Sequence, residues 1–216
     1  MTPLVLQRLS AGVYDFFMQP LEQWKLNKIR ERLLGLAGGE VLEIGAGSGV
    51  NLRYYDPRRV TSLTVSDRND RTTLYRQRSY RITGTASGPG IPFNTARIDA
   101  QRLPFADNSF DTVVATLVFC SVECAPCGFD EIARVLRPAG RYLFLEHVRP
   151  RGTFSGRTFD LLNPVWNRIS GGCNLNRDTL RAIRDAGFTL RLGTNGRTEA
   201  DSHGVFVWGE GLLRST

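Results

Sequence analysis

Glycines at positions 45, 47 and 49 follow the short apolar run Val41-Leu42-Glu43-Ile44, and that pairing has a chemical use. Glycine reaches positive φ and has no Cβ, so a backbone turned through it can come close to a ligand. A strand ending in such a turn leaves backbone N–H groups facing whatever sits above it, which makes a cradle for a nucleotide cofactor. The spacing is G-x-G-x-G rather than the G-x-G-x-x-G of dinucleotide folds, which disfavours a nicotinamide-dependent oxidoreductase. Asp67 closes a second apolar run, Ser62-Leu63-Thr64-Val65, where α/β nucleotide folds place a carboxylate for the ribose hydroxyls. An acid at that point also caps helices, so the glycine turn and Asp67 strengthen each other without proving the site. His147 and His203 are the candidates for a general base, although a histidine after a central strand also serves as a structural donor. Cys120, Cys124 and Cys127 fall as C-x3-C-x2-C, the spacing that holds an iron–sulfur cluster in radical enzymes. A cluster is out of place just past a central strand in this setting. With Cys173, the three read as free buried or semi-exposed thiols, and no metal site is expected.

The elements that must position these residues alternate along the chain. Pro20 starts a helix over 21–36, with Trp24, Ile29, Leu33 and Leu36 as its apolar stripe and Lys25, Lys28, Arg30 and Arg32 mostly off it. Gly38-Gly39 ends that helix and the first strand follows. Residues 52–55 form a helical turn or two after the glycines, and 62–65 form the second strand. Residues 68–81 read as a polar helix, and the Gly/Pro/Ser-rich stretch 83–94 as a loop. The third strand covers 95–100 and a β-branched central strand covers 112–118. A helix over 129–136 stops at Pro138-Ala139-Gly140, and the fifth strand is 141–148. Residues 149–173 break the alternation. Their scattered Phe154, Phe159 and Trp166 read as an insertion over the carboxyl ends of the strands, where open α/β sheets bind ligands. Asn176 caps a helix running to Ala186, and 188–192 with 204–208 form an antiparallel edge pair. This pattern predicts a doubly wound, mostly parallel seven-stranded α/β sheet with an antiparallel edge strand.

A chain of 216 residues with 41% hydrophobic and 23% charged residues suits one such domain with a proper core. No apolar run approaches the roughly 18 residues of a membrane span, and the N-terminus lacks a signal pattern, so a cytoplasmic protein is expected. The net charge is +7, and 26 of the 28 basic residues are arginine. They are spread along the whole chain without the aromatic-basic motif of a nucleic-acid module, so no nucleic-acid partner is expected. Weak attraction to an anionic lipid surface fits the same charge.

Taken together, Leu42 to Gly49, Asp67, Asp99-Ala100, Leu103-Pro104-Phe105, Ser109-Phe110-Asp111 and Arg134-Val135-Leu136-Arg137-Pro138-Ala139-Gly140 resemble a class I S-adenosylmethionine-dependent methyltransferase. The L-P-F, S-F-D and R-V-L-R-P-x-G series is similar to the quinone and sterol methyltransferase branch. Thr116 to Val122, Glu146-His147-Val148, and Trp166 followed by Gly172-Cys173-x-Leu175-x-Arg177-x-Thr179 are similar to a methyltransferase-like group that includes membrane-associated alkyl-thiol S-methyltransferases. Ser66-Asp67 and Ala139 depart from that group, which usually has glutamate-proline and glycine there. The resemblance implies S-adenosylmethionine as cofactor and S-adenosylhomocysteine as product. It places the backbone of Gly45, Ala46, Gly47 and Gly49 along the methionine portion, with Glu43 ordering the turn and Asn51 also among the cofactor-binding residues. It gives Asp67 to the ribose, Asp99 and Ala100 to adenine, and Thr116 and Leu117 to the wall beside the sulfonium, and it counts Arg68 among the cofactor-binding residues. The acceptor is expected between a helical segment over 1–38, with Tyr14 and Phe17, and a lid over 149–173, with Phe154, Phe159 and Trp166. The implied reaction is in-line methyl transfer to a small apolar molecule, a thiol among the candidates. The alternative is a phospholipid or quinone methyltransferase at the membrane surface.

Overall fold

The computed structural model describes residues 26–69, 90–150, 153–193 and 206–214. Its helices are α1 (Asn27–Leu34), α2 (Ala125–Val135), α3 (Thr153–Ile169) and α4 (Thr179–Asp185). Its strands are β1 (Gly39–Ile44), β2 (Val60–Asp67), β3 (Phe93–Arg97), β4 (Phe110–Thr116), β5 (Leu136–His147), β6 (Phe188–Leu192) and β7 (Phe206–Leu213). One sheet joins them in the order β3-β2-β1-β4-β5-β7-β6. The first five strands pair in parallel, and β7 runs antiparallel to both β5 and β6. The antiparallel strand therefore lies one place in from the edge, which β6 occupies.

Alternation along the strands builds two cores. Leu42, Val113, Ala115, Tyr142 and Phe144 face α2 and α4, where they meet Phe129, Ile132, Leu180 and Ile183. Val41, Leu63, Val65, Val114, Leu143 and Leu145 face the other way, toward Leu33 and Leu34 of α1. Strands covered on both faces must be apolar at consecutive positions, which is why β4 and β5 read as continuous hydrophobic runs. Strand order reverses direction at β1, which pairs with β2 on one side and β4 on the other. A crevice opens at such a switch point, at the carboxyl ends of the strands.

Several sequence expectations change. Leu36 of the expected stripe is 37% exposed, while Arg30, assigned off the stripe, is buried at 2%. The reason is a set of buried acceptors at the end of the sheet, described below. The 149–173 insertion is a 17-residue helix, α3, with Pro164 inside it. Asp178, not Asn176, caps α4 by accepting from the Arg181 N–H at 3.2 Å. Phe93 and Asn94 belong to β3, and Asp99 falls beyond it in an isolated bridge with Arg102. Residues 70–81 of the expected helix over 68–81 and most of the loop over 83–94 lie outside the described residues. Cys124 and Cys127 are not free thiols. They form a disulfide at the start of α2, where the helix turn brings residues i and i+3 together.

Candidate active site

The glycine turn follows β1 directly. Gly45, Gly47 and Gly49 have φ of 64°, 55° and 72°, which L side chains rarely adopt. A Cβ on Gly45 would also meet the Val118 side chain at 2.6 Å, so that position admits no other residue. Above Gly47 the space is open, with only the Gly45 carbonyl oxygen at 4.0 Å. The turn is pinned to β2 by the Ala46 N–H, which donates to the Ser66 carbonyl at 2.9 Å, and by the Gly47 N–H, which donates to Asp67 Oδ2 at 2.9 Å. Asp67 Oδ1 accepts from the Asn69 N–H at 2.8 Å. Each carboxylate oxygen has lone pairs left over, and the group is only 9% exposed at the end of β2. A small cradle closed to side chains, beside a carboxylate with spare acceptor capacity, fits the ribose and amino-acid portions of S-adenosylmethionine.

Beneath the turn lies a buried polar network. Asn51 Nδ2 donates to Glu43 Oε1 and to Thr116 Oγ1, both at 3.0 Å, and Tyr55 Oη donates to Glu43 Oε2 at 2.8 Å. Arg30 Nη1 donates to Asn51 Oδ1 at 2.6 Å and to Thr116 Oγ1 at 2.7 Å. Burial pushes the Glu43 carboxyl up, opposed by the bonds from Tyr55 and Asn51 and by the Arg30 charge. Arg30 is therefore buried because it compensates acceptors that could not otherwise leave water. Glu43, Asn51 and Thr116 hold the shape of the turn from below, with their side-chain polar groups occupied by one another.

The strands beside the turn carry the remaining candidates. Asp99 is exposed and accepts from the Gln101 N–H at 3.0 Å, a bond that lowers its pKa. Ala100 is buried beside it at 8%, and Arg68 is exposed beyond Asp67. Leu117 sits at φ 59°, with its N–H donating to the Leu145 carbonyl at 2.7 Å. A leucine held in the left-handed region at a strand end is strain that neighbouring structure must maintain, a feature that collects at functional sites.

Past β4 the chain is held by Glu146, which the sequence reading left without a role. Its carboxyl is fully buried and accepts from the N–H groups of Val118, Phe119 and Cys120 at 3.1, 3.1 and 3.4 Å. Burial raises its pKa to about 8 against the pull of those three bonds. The one available signal was an acid inside the otherwise apolar run Tyr142-Leu143-Phe144-Leu145-Glu146. The segment after α3 docks on the same loop. Asn174 donates to the Cys120 carbonyl from its N–H at 2.8 Å and from Nδ2 at 3.0 Å, while Arg177 Nη1 donates to the Phe119 carbonyl at 2.7 Å. This clamp brings Cys173 against Cys120 and His147. The Cys173 Sγ to His147 Nδ1 distance is 3.6 Å, and the His147 ring lies over Phe206 with centroids 4.4 Å apart. A hydrogen bond from Cys120, joined by His147 and the Trp166 indole, holds the Cys173 thiol well below its usual range and pushes Cys120 up.

His147 is thus buried and faces a sulfur. Trp166 and Phe159 of α3 are half-buried. Tyr14, Phe17 and His203 lie outside the described residues, as does the Phe154 side chain. A separate cleft of about 280 Å³ between α2 and α4, lined by Ala125, Pro126, Asp178, Thr179 and Ala182, contains none of the expected cofactor or acceptor residues.

A sheet of this order with a glycine cradle and a strand-end carboxylate at its switch point defines a Rossmann-like methyltransferase fold. The family model for the methyltransferase domain matches residues 42–144. The human thiol S-methyltransferase TMT1B is 32% identical over 174 residues, which cover 76% of this chain and 68% of that protein. Human thiol S-methyltransferase TMT1A is 33% identical over 153 residues, covering 69% of this chain and 59% of that one. Among solved structures, the methyltransferase in complex with the Trm112 activator from Haloferax volcanii superposes with a TM-score of 0.66 at 18% identity, covering 97% of this chain and 98% of that chain. The chain belongs to the S-adenosylmethionine-dependent methyltransferases. It is an enzyme of that class, with S-adenosylmethionine as its cofactor.

Proposed function

We propose that this methyltransferase acts on a small apolar thiol. The observation that carries the reading is the state of the side chains at the carboxyl ends of β4 and β5. Thr116 is occupied by Arg30 and Asn51, Glu146 is tied to three backbone amides, and His147 is turned toward Cys173. An alcohol or phenol needs a strong, accessible base to become a nucleophile. A thiol ionises near pH 8.5 and needs little help. The similarity to two thiol S-methyltransferases supports the same choice.

Bound S-adenosylmethionine supplies a methyl group already activated on a sulfonium. The chain's own residues then orient, exclude water and hold the acceptor in line. Asp67 accepts from both ribose hydroxyls, Asp99 and the Ala100 N–H receive the adenine edge, and the backbone of Gly45 to Gly49 meets the methionine portion. Leu117 forms an apolar wall beside the methyl. Trp166 and Phe159 on α3 form part of the acceptor lid.

A methyl-transfer screen over thiols, amines, phenols, quinones and phospholipid head groups tests the acceptor class, and turnover confined to a class other than thiols overturns it. Trp166→Ala tests the pocket. Lower turnover or a higher acceptor KM with unchanged cofactor affinity is expected, whereas loss of cofactor affinity and Tm together would show that Trp166 only packs the helix.

A second reading, action at a membrane surface, draws on one observation. The side chains Leu161, Val165 and Ile169, four apart along α3, are 79%, 64% and 49% exposed. Among the described residues no helix is long and apolar enough to cross a membrane. Co-sedimentation with anionic vesicles that Val165→Glu abolishes would favour surface action, and absence of co-sedimentation would remove it.

A further inference from the structure

The thiols of this chain divide in space in a way their sequence spacing conceals. Cys124 and Cys127 pair with each other, while Cys120 is drawn away to meet two residues from distant elements. We propose that Cys120, His147 and Cys173 are the protein ligands of a zinc ion, with the fourth position open to the sulfur of the methyl acceptor.

The ligand atoms of the three all lie within 4.8 Å of one another. Zinc–sulfur bonds of about 2.3 Å and zinc–nitrogen bonds of about 2.0 Å give a tetrahedral S···N edge of about 3.6 Å. The Cys173 Sγ to His147 Nδ1 separation is 3.6 Å, so that edge already has the length the ion requires, and the edges to Cys120 are within 4.8 Å. Two thiolates and an imidazole are the donors that favour zinc over calcium or magnesium. All three residues are buried, at 1%, 3% and 2% exposure for Cys120, His147 and Cys173. Two thiolates, a neutral imidazole and a dication sum to zero charge, the arrangement that makes such burial inexpensive.

The surroundings orient the ligands as supporting groups of a metal site do. The Cys120 N–H is held by Glu146 and its carbonyl by Asn174, the residue next to Cys173. Phe206 fixes the plane of the His147 ring. Gly171 and Gly172, at φ 73° and 109°, turn the chain so that Cys173 points inward. Three protein ligands with one open position is the composition of catalytic rather than structural zinc.

The role of the open position rests on the thiol reading above. An acceptor R–SH binds there as the thiolate and its proton leaves to solvent through the displaced water. A sulfur lone pair then forms the new S–CH3 bond as the methyl–sulfonium bond breaks, leaving the thioether product and neutral S-adenosylhomocysteine. No oxidant or reductant is required.

The test is made on the full chain with its ligands reduced. Elemental analysis of protein purified without chelator is expected to find one zinc per chain. Cobalt(II) titrated into the metal-stripped protein is expected to give a visible ligand-field band and an ultraviolet thiolate-to-metal charge-transfer band. Cys120→Ser, Cys173→Ser and His147→Gln should each lose bound metal, while the Cys124→Ser/Cys127→Ser double variant keeps it. Because the cobalt titration uses the unaltered protein, a variant that fails to fold does not decide the matter. Lack of the charge-transfer band in the unaltered protein overturns the proposal, as does metal retained by the Cys120→Ser/Cys173→Ser double variant. A Cys120–Cys173 disulfide that forms in zinc-replete protein also overturns it. Metal bound without thiol turnover would sink the acceptor reading alone, and thiol turnover without metal would sink this one alone.

Discussion

The two edges of the parallel sheet treat charge in opposite ways. At the amino edge, Arg137 bridges Asp111 at 2.7 Å and Glu40, and Arg134 bridges Glu131 at 2.7 Å and Asp107 at 2.8 Å. The Arg137 and Arg134 side chains are 36% and 31% exposed, and solvent screens such pairs. At the carboxyl edge, Arg30, Glu43, Asn51, Thr116 and Glu146 are buried, and each bonds to a partner on a different element. The amino edge fastens strand starts and the loop at 103–111 with interactions that can fail one at a time. The carboxyl edge sets the cradle and the loop after β4 with groups that are costly to leave alone. Much of the motif series through Arg134 and Arg137 therefore serves the scaffold, while the candidate site lies on the opposite edge.

Breaking the buried edge should have the largest effect. Arg30→Ala leaves Glu43, Asn51 and Thr116 without their compensating cation, and a loss of about 3–5 kcal/mol in chemical unfolding is expected. A loss under about 1 kcal/mol, the range of surface pairs, would erase the distinction between the edges. Next in size is Asp67→Ala, for which calorimetry should show S-adenosylmethionine binding weakened by about 1.5–3 kcal/mol, the scale of hydrogen bonds to a charged group. Unchanged affinity in a folded variant would remove Asp67 from the ribose.

At the screened edge, Arg134→Ala should cost about 1 kcal/mol of stability, mostly through its bonds to the Leu103 and Phe105 carbonyls, and leave cofactor affinity unchanged. An altered cofactor Kd would show that the two edges are coupled. The smallest effect should be a gain. Ala139 sits at φ 66° on the exposed turn inside β5, where a Cβ is strained. Ala139→Gly should raise stability by about 0.5–1 kcal/mol, the left-handed penalty less the added freedom of the unfolded chain. A fall in Tm would mean that the turn relaxes without help.

The sequence by itself determined the alternating order of elements, the glycine turn after β1 and the class of reaction. Period-2 and continuous apolar runs reflect burial on both faces of a sheet, and a glycine needed for positive φ is visible as a letter. The position of Asp67 at a strand end was legible for the same reason. Tertiary structure decided what those local rules do not encode. Arg30 looked like a solvated helix residue, yet its burial depends on acceptors 21 and 86 residues away. Cys120, Cys124 and Cys127 read alike as free thiols in the sequence, because spacing along a chain measures proximity only within a turn or a helix. The Cys120 contacts with His147 and Cys173 exist because Asn174 and Arg177 fold the segment after α3 onto the loop after β4. Glu146 reads as an anomaly in a strand until the three amides it accepts from are in place. Those meetings are set by sheet order and loop docking, long-range packing that no local period records.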